Sequence, residues 1–399
     1  MSNSCLSEQV PVEQAEKDRD SRVPVVAVFL LLGAISASWA ARIPAIRAPL
    51  HLSTQALGFA LLGPAAGAVL AMPITGAALV RVAPRKLVLV AFVPLAGVLP
   101  LVTVVGHVWQ LFAVLFVWGS CVGIIDVAMN TEAVAVQDRI GRRVMSGFHA
   151  SYSIGGLIGA AVGAGCAWGA VSVRTQLVVV SVVVLVVGIV AAADFDPIGP
   201  DARAEKNIRS GRIRWSRALV ALSVMAFASF LAEGAANDWS AVYLHSSLDT
   251  SAGLAGVGYT CFAIAMTIGR LCGDRLADRW GPRHLVRVSS AAAAIGWSGA
   301  LLLNSPAAAL AGLVLLGFGL SSVVPNVFSQ ASRLGQAGPS IAVVTFCGYG
   351  GMLAGPAAIG TLAGAVGLPA ALSVDAGLAT TIFLLCGVLA LKPTRVASP

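Results

Sequence analysis

The chain has 399 residues, of which 57% are hydrophobic and only 11% charged, with 26 Lys and Arg against 18 Asp and Glu. A water-soluble protein of this size carries about 25% charged residues, so the composition excludes a soluble enzyme or binding domain and requires apolar side chains to face lipid as well as a core. The formal charge of +8 could suit nucleic acid, but the placement of the cations along the chain argues for a different cause.

Residues 1–23 form a polar tail containing Glu13, Glu16, Asp18 and Asp20. A cleaved signal would begin with a short basic stretch and pass at once into a brief apolar core, so this tail is read as cytoplasmic. Twelve apolar spans are then predicted, near 24–44, 54–80, 86–106, 108–137, 145–168, 175–193, 217–244, 252–275, 284–303, 306–332, 339–364 and 368–391. About 20 residues at 1.5 Å each suffice to cross ~30 Å of hydrocarbon. With the N-terminus inside, only Arg42, Arg47 and Arg174 of the 26 cations fall at outer ends or loops. The rest, including Arg81, Arg85, Lys86, Arg139, Arg142 and Arg143, lie on the cytoplasmic side, as the positive-inside rule requires. The basic balance is thus a topology signal, and no nucleic-acid partner is expected. Seven cysteines show neither CxxC pairs nor Cys/His metal spacing, so neither a metal nor any other cofactor is expected.

Residues 194–216 are the one long polar interior segment, running from Asp194 through Pro197, Pro200 and Asp201 to Arg214. They are read as a cytoplasmic linker between a first half at 24–193 and a second half, with a short tail, at 217–399. The halves match at a nearly constant offset. Gly123, Asn130, Gly155 and Gly159 correspond to Gly319, Asn326, Gly351 and Gly355, and Trp39 corresponds to Trp239. The expected fold is therefore all-α and membrane-integral, with twelve transmembrane helices in two pseudo-symmetric six-helix bundles and a solute site at their interface. The glycine-rich patches of spans 5 and 11 suit either close helix packing or rocking of these helices during a transport cycle.

The loop between spans 8 and 9 reads from Gly273 and Asp274 through Leu276-Ala277-Asp278-Arg279 to Gly281 and Arg283. It resembles the L-A-D-R-x-G-x-R signature of the major facilitator superfamily, and that resemblance implies a gating loop built on Asp278, Arg279, Gly281 and Arg283. The equivalent first-half loop, Gly76 to Lys86, has Val80 in place of the Asp and Ala83 in place of the Gly. Asp126 followed by Asn130 in span 4 is similar to the fucose-permease-like branch. So is the series Glu233, Asn237, Asp238, Trp239, Tyr243 and Leu244 in span 7. Unlike the sugar carriers of that branch, span 1 has no carboxylate near Ser38-Trp39.

Placing an Asp at a helix centre in the bilayer costs about 3 kcal/mol, so such a residue implies a polar cavity or a partner. A carboxylate in low dielectric exchanges protons nearer neutral pH than one in water, which makes Asp126 and Glu233 the candidate proton-coupling groups. A structural hydrogen bond or ion pair is the competing role for each. Glu132 is expected to pair with Arg139, Arg142 or Arg143, and Arg42 to snorkel or to pair with an outer carboxylate such as Asp238. Candidate solute-binding residues are Trp39, Asn130, Tyr152, Asn237, Trp239, Tyr259, Asn326, Gln330 and Tyr349. Their aromatic faces and amides suit sugars, nucleosides and flat drug-like molecules alike.

No Walker, HExxH or GxSxG motif occurs. The function expected is secondary active transport of a small organic solute across the plasma membrane by a monomer, coupled to protons, with both termini cytoplasmic. The G-x-x-x-G-P pattern of antiporters falls at Gly351–Pro356 in span 11 and not in span 5, which favours symport over export of a drug or metabolite. A sensor or a glycolipid flippase is the alternative of another class.

Overall fold

The computed structural model describes residues 6–40, 42–47, 49–52, 54–195, 215–334 and 337–390. Cys5, most of the linker from Asp196 to Arg214, and the tail from 391 lie outside the described residues, among which there is no strand. Twelve long helices follow one another: α1 (Leu6–Ala40), α2 (Thr54–Ala78), α3 (Pro84–Val98), α4 (Val108–Ile140), α5 (Met145–Trp168), α6 (Val173–Ala193), α7 (Arg217–Val242), α8 (Ala252–Trp280), α9 (Pro282–Leu303), α10 (Pro306–Leu320, continued by Val323–Ala331), α11 (Ala337–Val366) and α12 (Ser373–Leu385). Among the described residues, eleven segments are long and apolar enough to cross a membrane. Helix α8 has 29 residues and so about 44 Å of length. Its stretch Ala252–Gly269 is free of charge, and its second half carries Arg270, Asp274, Arg275, Asp278 and Arg279.

Helix ends are set by local chemistry. Ser172, Ser216, Ser251 and Ser305 each accept a hydrogen bond from the backbone N–H three residues on, capping α6, α7, α8 and α10. Gly141 takes up a left-handed conformation that stops α4. Pro84, Pro282 and Pro306 open α3, α9 and α10 where no intrahelical donor is lost.

The chain forms two compact units. The first comprises Met1–Ala71, Arg81–Arg142 and Ser151–Pro200, and the second comprises Met72–Val80, Arg143–Ala150 and Asp201–Pro399. Within the first, α1 and α5 cross backbone to backbone. A Cβ on Gly155 would collide with the Leu30 carbonyl, one on Gly159 with the Ala34 carbonyl, and one on Gly33 with the Tyr152 carbonyl. Within the second unit, α7 and α11 repeat the arrangement, because a Cβ on Gly351 would strike the Phe227 carbonyl and one on Gly355 would lie 3.4 Å from that of Leu231. The matched glycines therefore do the same job in both halves: they remove side chains where two helix axes approach most closely. Lipid tails give helices no hydrophobic reason to associate, so this close packing is a main source of cohesion.

Gly159→Val is accordingly expected to cost about 1–3 kcal/mol or more by overpacking. Gly156→Val, whose added Cβ would meet nothing within 4 Å, should be near neutral. Thermal unfolding of the two purified variants would separate them.

Candidate functional site

In the first unit, Asp126 sits near the middle of the 33-residue α4, half-buried. Asn130, one turn on and fully buried, donates from Nδ2 to the Asp126 carbonyl at 2.8 Å and to its Oδ1 at 3.2 Å. The carboxylate is thus oriented by its own helix, and its other oxygen is left for a different donor. Trp39 of α1 meets Trp118 of α4 edge to face, with ring centroids 5.6 Å apart, which fixes the Trp39 indole on a rigid partner. Tyr152 is half-buried on α5, at the glycine crossing with α1.

In the second unit, Glu233 of α7 forms an ion pair with Arg270 of α8, Oε2 to Nη2 at 3.5 Å, with side chains 23% and 10% exposed. Arg270 is a charged residue to which sequence reasoning assigned no role. Its position eleven residues before Gly281, within an otherwise apolar stretch, was the signal available. Tyr259, on the same helix, stacks on Phe262 with centroids 6.2 Å apart. Tyr349 of α11 tilts against Phe230 of α7 at 5.8 Å. The Trp239 indole N–H is buried and has no hydrogen-bond partner among the described residues. Asn237 and Asp238 are exposed and bonded to each other, Nδ2 to Oδ1 at 2.8 Å.

Asn326 and Gln330 are buried on the second segment of α10. Asn326 donates to the Ser322 carbonyl at 2.7 Å and accepts from Arg143 Nη1 at 3.4 Å. That arginine leads into the α8–α9 turn. Arg143 Nε lies 3.4 Å from Asp278 Oδ1. Burial, and next the nearby Arg333, lower the Arg143 pKa, while Asp278 and Asp274 raise it. Asp274 holds the start of α5: its Oδ1 accepts from the Ser146 N–H at 3.0 Å and its Oδ2 from the Gly147 N–H at 2.8 Å. A carboxylate on two free N–H groups at a helix N-terminus satisfies both donors and complements the helix dipole. Gly273 makes the approach possible, since a Cβ there would lie 2.6 Å from Ser146 Oγ. At the matching place in the other half-repeat, Gly76 faces Ala342 and Leu79 faces Gly338. Those contacts are apolar and contain no carboxylate.

The signature loop thus divides. Asp278 and Asp274 engage residues 143–147, while Arg279 and Arg283 are exposed and join no salt bridge among the described residues. Gly281, with φ of 78°, supplies the turn between α8 and α9. Sequence reading had centred the loop on Asp278 and missed Asp274, which lies four residues earlier and one turn away on the same face of α8. Asp274→Ala should lower thermal stability in detergent by about 1–3 kcal/mol, the cost of two unsatisfied helix donors, and Asp274→Asn should lose less because it keeps one acceptor.

Two expectations are corrected. Arg42 does not snorkel, and its partners are neutral groups of its own unit. It is buried, donating from Nη1 to Gln176 Oε1 at 2.9 Å and from Nη2 to the Val171 carbonyl at 2.7 Å. The planar guanidinium suits two convergent acceptors better than a distant carboxylate. Glu132 is fully buried, and neither of its carboxyl oxygens has a hydrogen-bond partner among the described residues. Arg139, in the last turn of the same helix, reaches it only electrostatically. His149 of α5 stacks on Phe328 with centroids 5.7 Å apart.

The Major Facilitator Superfamily model matches residues 25–356 and 222–399. The chain belongs to that superfamily. It is 35% identical to an uncharacterised MFS-type transporter of Yersinia pestis, over 90% of this chain and 93% of the relative. It is 29% identical to the membrane protein MosC of Rhizobium meliloti, over 91% and 89% of the two chains. Among solved structures, FucP, a fucose:proton symporter of E. coli, matches in its outward conformation with a TM-score of 0.80 at 17% identity, covering 92% of this chain and 98% of that one. A bacterial homologue of the iron transporter ferroportin matches with a TM-score of 0.74 at 14% identity, over 92% and 99% of the two chains. At these identities the structures show the fold. The chain is a multi-pass membrane transporter of the superfamily, with two six-helix halves.

Proposed function

We propose that the chain is a proton-coupled symporter that takes up a small, uncharged organic solute by alternating access, with Asp126 as the coupling group. The observation that carries this reading is the Asp126–Asn130 pair in the middle of α4. A carboxylate placed at membrane depth is costly, and one that keeps an oxygen available beside a fixed amide is suited to gaining and losing a proton next to a bound hydroxyl or amide. The fold shared with a fucose:proton symporter supports coupling to protons.

Glu233, held by Arg270, is the second charged group of the pathway. Trp39, Asn130, Tyr152, Asn237, Trp239, Tyr259, Asn326, Gln330 and Tyr349 make up the proposed solute-binding set. Within it, the unpartnered Trp239 N–H is a donor for a solute oxygen. Asp278, with Asp274, forms the gating contact to residues 143–147. The carrier works as a monomer in the plasma membrane with its termini on the cytoplasmic side.

Purified protein in vesicles with an imposed proton gradient would test this on a panel of sugars, nucleosides and dyes. Gradient-dependent accumulation of at least one solute is expected. Accumulation only when the gradient is reversed would make the protein an exporter, and no movement of any solute would overturn the carrier reading.

A further inference from the structure

The α9–α12 pair carries a charged surface that takes no part in the Asp274 and Asp278 contacts. Arg283 and Arg287 stand one turn apart at the start of α9 and are exposed. The Arg287 guanidinium carbon lies 5.0 Å from the centroid of the Phe383 ring on α12, and both arginines interact electrostatically with Cys386, the residue that follows α12. The two cations therefore converge on α12. A guanidinium seated on an aromatic face is held in place while its N–H edges stay free to donate.

Among the described residues, neither arginine joins a salt bridge. Helix α9 contains no Asp or Glu, and α12 contains only Asp375, which is fully buried and about 12 Å further along the axis. The nearest acidic groups of α8 are committed elsewhere, Asp274 to the N–H groups of Ser146 and Gly147 and Asp278 to Arg143. Leading away from the arginines, Val288, Ile295 and Leu302 are 46%, 74% and 85% exposed. They recur every seven residues and so form one apolar stripe along α9.

We propose that this face binds an anionic phospholipid, its headgroup phosphate held by Arg283 and Arg287 and an acyl chain lying along the Val288–Ile295–Leu302 stripe. A uniform cationic rim would attract anionic lipid diffusely, without a bound partner. Here the ring-seated guanidinium, the second arginine one turn away and the adjoining apolar stripe match the two parts of a single lipid molecule. A phosphate free in solution would use only the arginines.

The test is binding of phosphatidylglycerol to the full chain, purified and reconstituted in phosphatidylcholine nanodiscs doped with increasing phosphatidylglycerol, read by native mass spectrometry of retained lipid. Saturable retention is expected, weakened about five-fold by R283Q or R287Q alone and about thirty-fold by both together. F383L should weaken it with the charges intact, and R81Q, a cation elsewhere, should leave it unchanged. Should the double variant fail to fold, the two single variants and F383L carry the test. Retention unaffected by these changes would overturn the proposal, as would an equal loss in R81Q, which would mean diffuse surface charge. Displacement of the lipid by inorganic phosphate at matched ionic strength would make the site one for free phosphate and would overturn the lipid assignment.

Discussion

Replacing Asp126 by Asn is expected to abolish proton-driven accumulation while solute exchange down its own gradient continues. The substitution keeps the volume and the acceptor oxygen that takes the hydrogen bond from Asn130 Nδ2, so the local structure of α4 should survive. What it removes is the ability to carry a proton. At one proton per solute, a gradient of one pH unit supplies about 1.4 kcal/mol, enough for about ten-fold accumulation. In the variant the ratio should fall to about one, because the coupling term is gone. Counterflow of labelled solute, which needs no net proton movement, should stay within a few-fold of wild type. The pH profile provides the second readout: counterflow should lose its dependence on pH in Asp126→Asn. Accumulation that persists with an unchanged pH profile would assign the proton to another group. A structural role alone predicts the opposite pattern, since loss of fold would remove counterflow and accumulation together.

The fold was legible because a bilayer imposes a coarse and periodic requirement on sequence. Eleven of the twelve predicted spans recur as helices that meet a length and apolarity criterion, and the tightest crossings of α1 with α5 and of α7 with α11 use the glycines that the repeat had matched. Glycine at a fixed offset carries structural information here because only a missing side chain admits a carbonyl of the neighbouring helix. Span 8 also recurs as a helix, and its polar second half is retained for the contacts of Arg270, Asp274 and Asp278.

Pairing of polar groups was much less legible. Sequence spacing showed that Asp126 and Asn130 share a face, because they are one turn apart. It could not show that Arg270 faces Glu233, 37 positions away, or that Asp274 reaches the start of α5, since those partners depend on which helices become neighbours. For Arg42, a bridge to an outer carboxylate looked as reasonable as any other outcome. The structure uses Gln176 and a backbone carbonyl instead, which neutral groups can do as well as acids. Glu132 marks the same boundary: its depth could be read from the sequence, but not its lack of a hydrogen-bond partner among the described residues.

Breaking the Glu233–Arg270 pair from one side should cost more than removing both charges. In Arg270→Gln the Glu233 carboxylate loses its cation inside the bundle, and in Glu233→Gln the guanidinium, 10% exposed, loses its anion. Removing one partner of a buried pair typically costs about 3–5 kcal/mol. Glu233 is 23% exposed, so the low end of that range is expected. The double variant Glu233→Gln/Arg270→Gln leaves two neutral amides that can bond to each other, and it should recover much of the stability. Thermal unfolding in one detergent would give the coupling energy as a double-mutant cycle, expected at about 1–3 kcal/mol in favour of the pair. Additive single effects would mean that the 3.5 Å contact contributes nothing. Transport separates the structural role from the functional one: if Glu233 belongs to the pathway, the stable double variant should still fail to accumulate solute. Full accumulation in the double variant would reduce the pair to a strut between α7 and α8 and leave Asp126 as the only carboxylate the proton path requires.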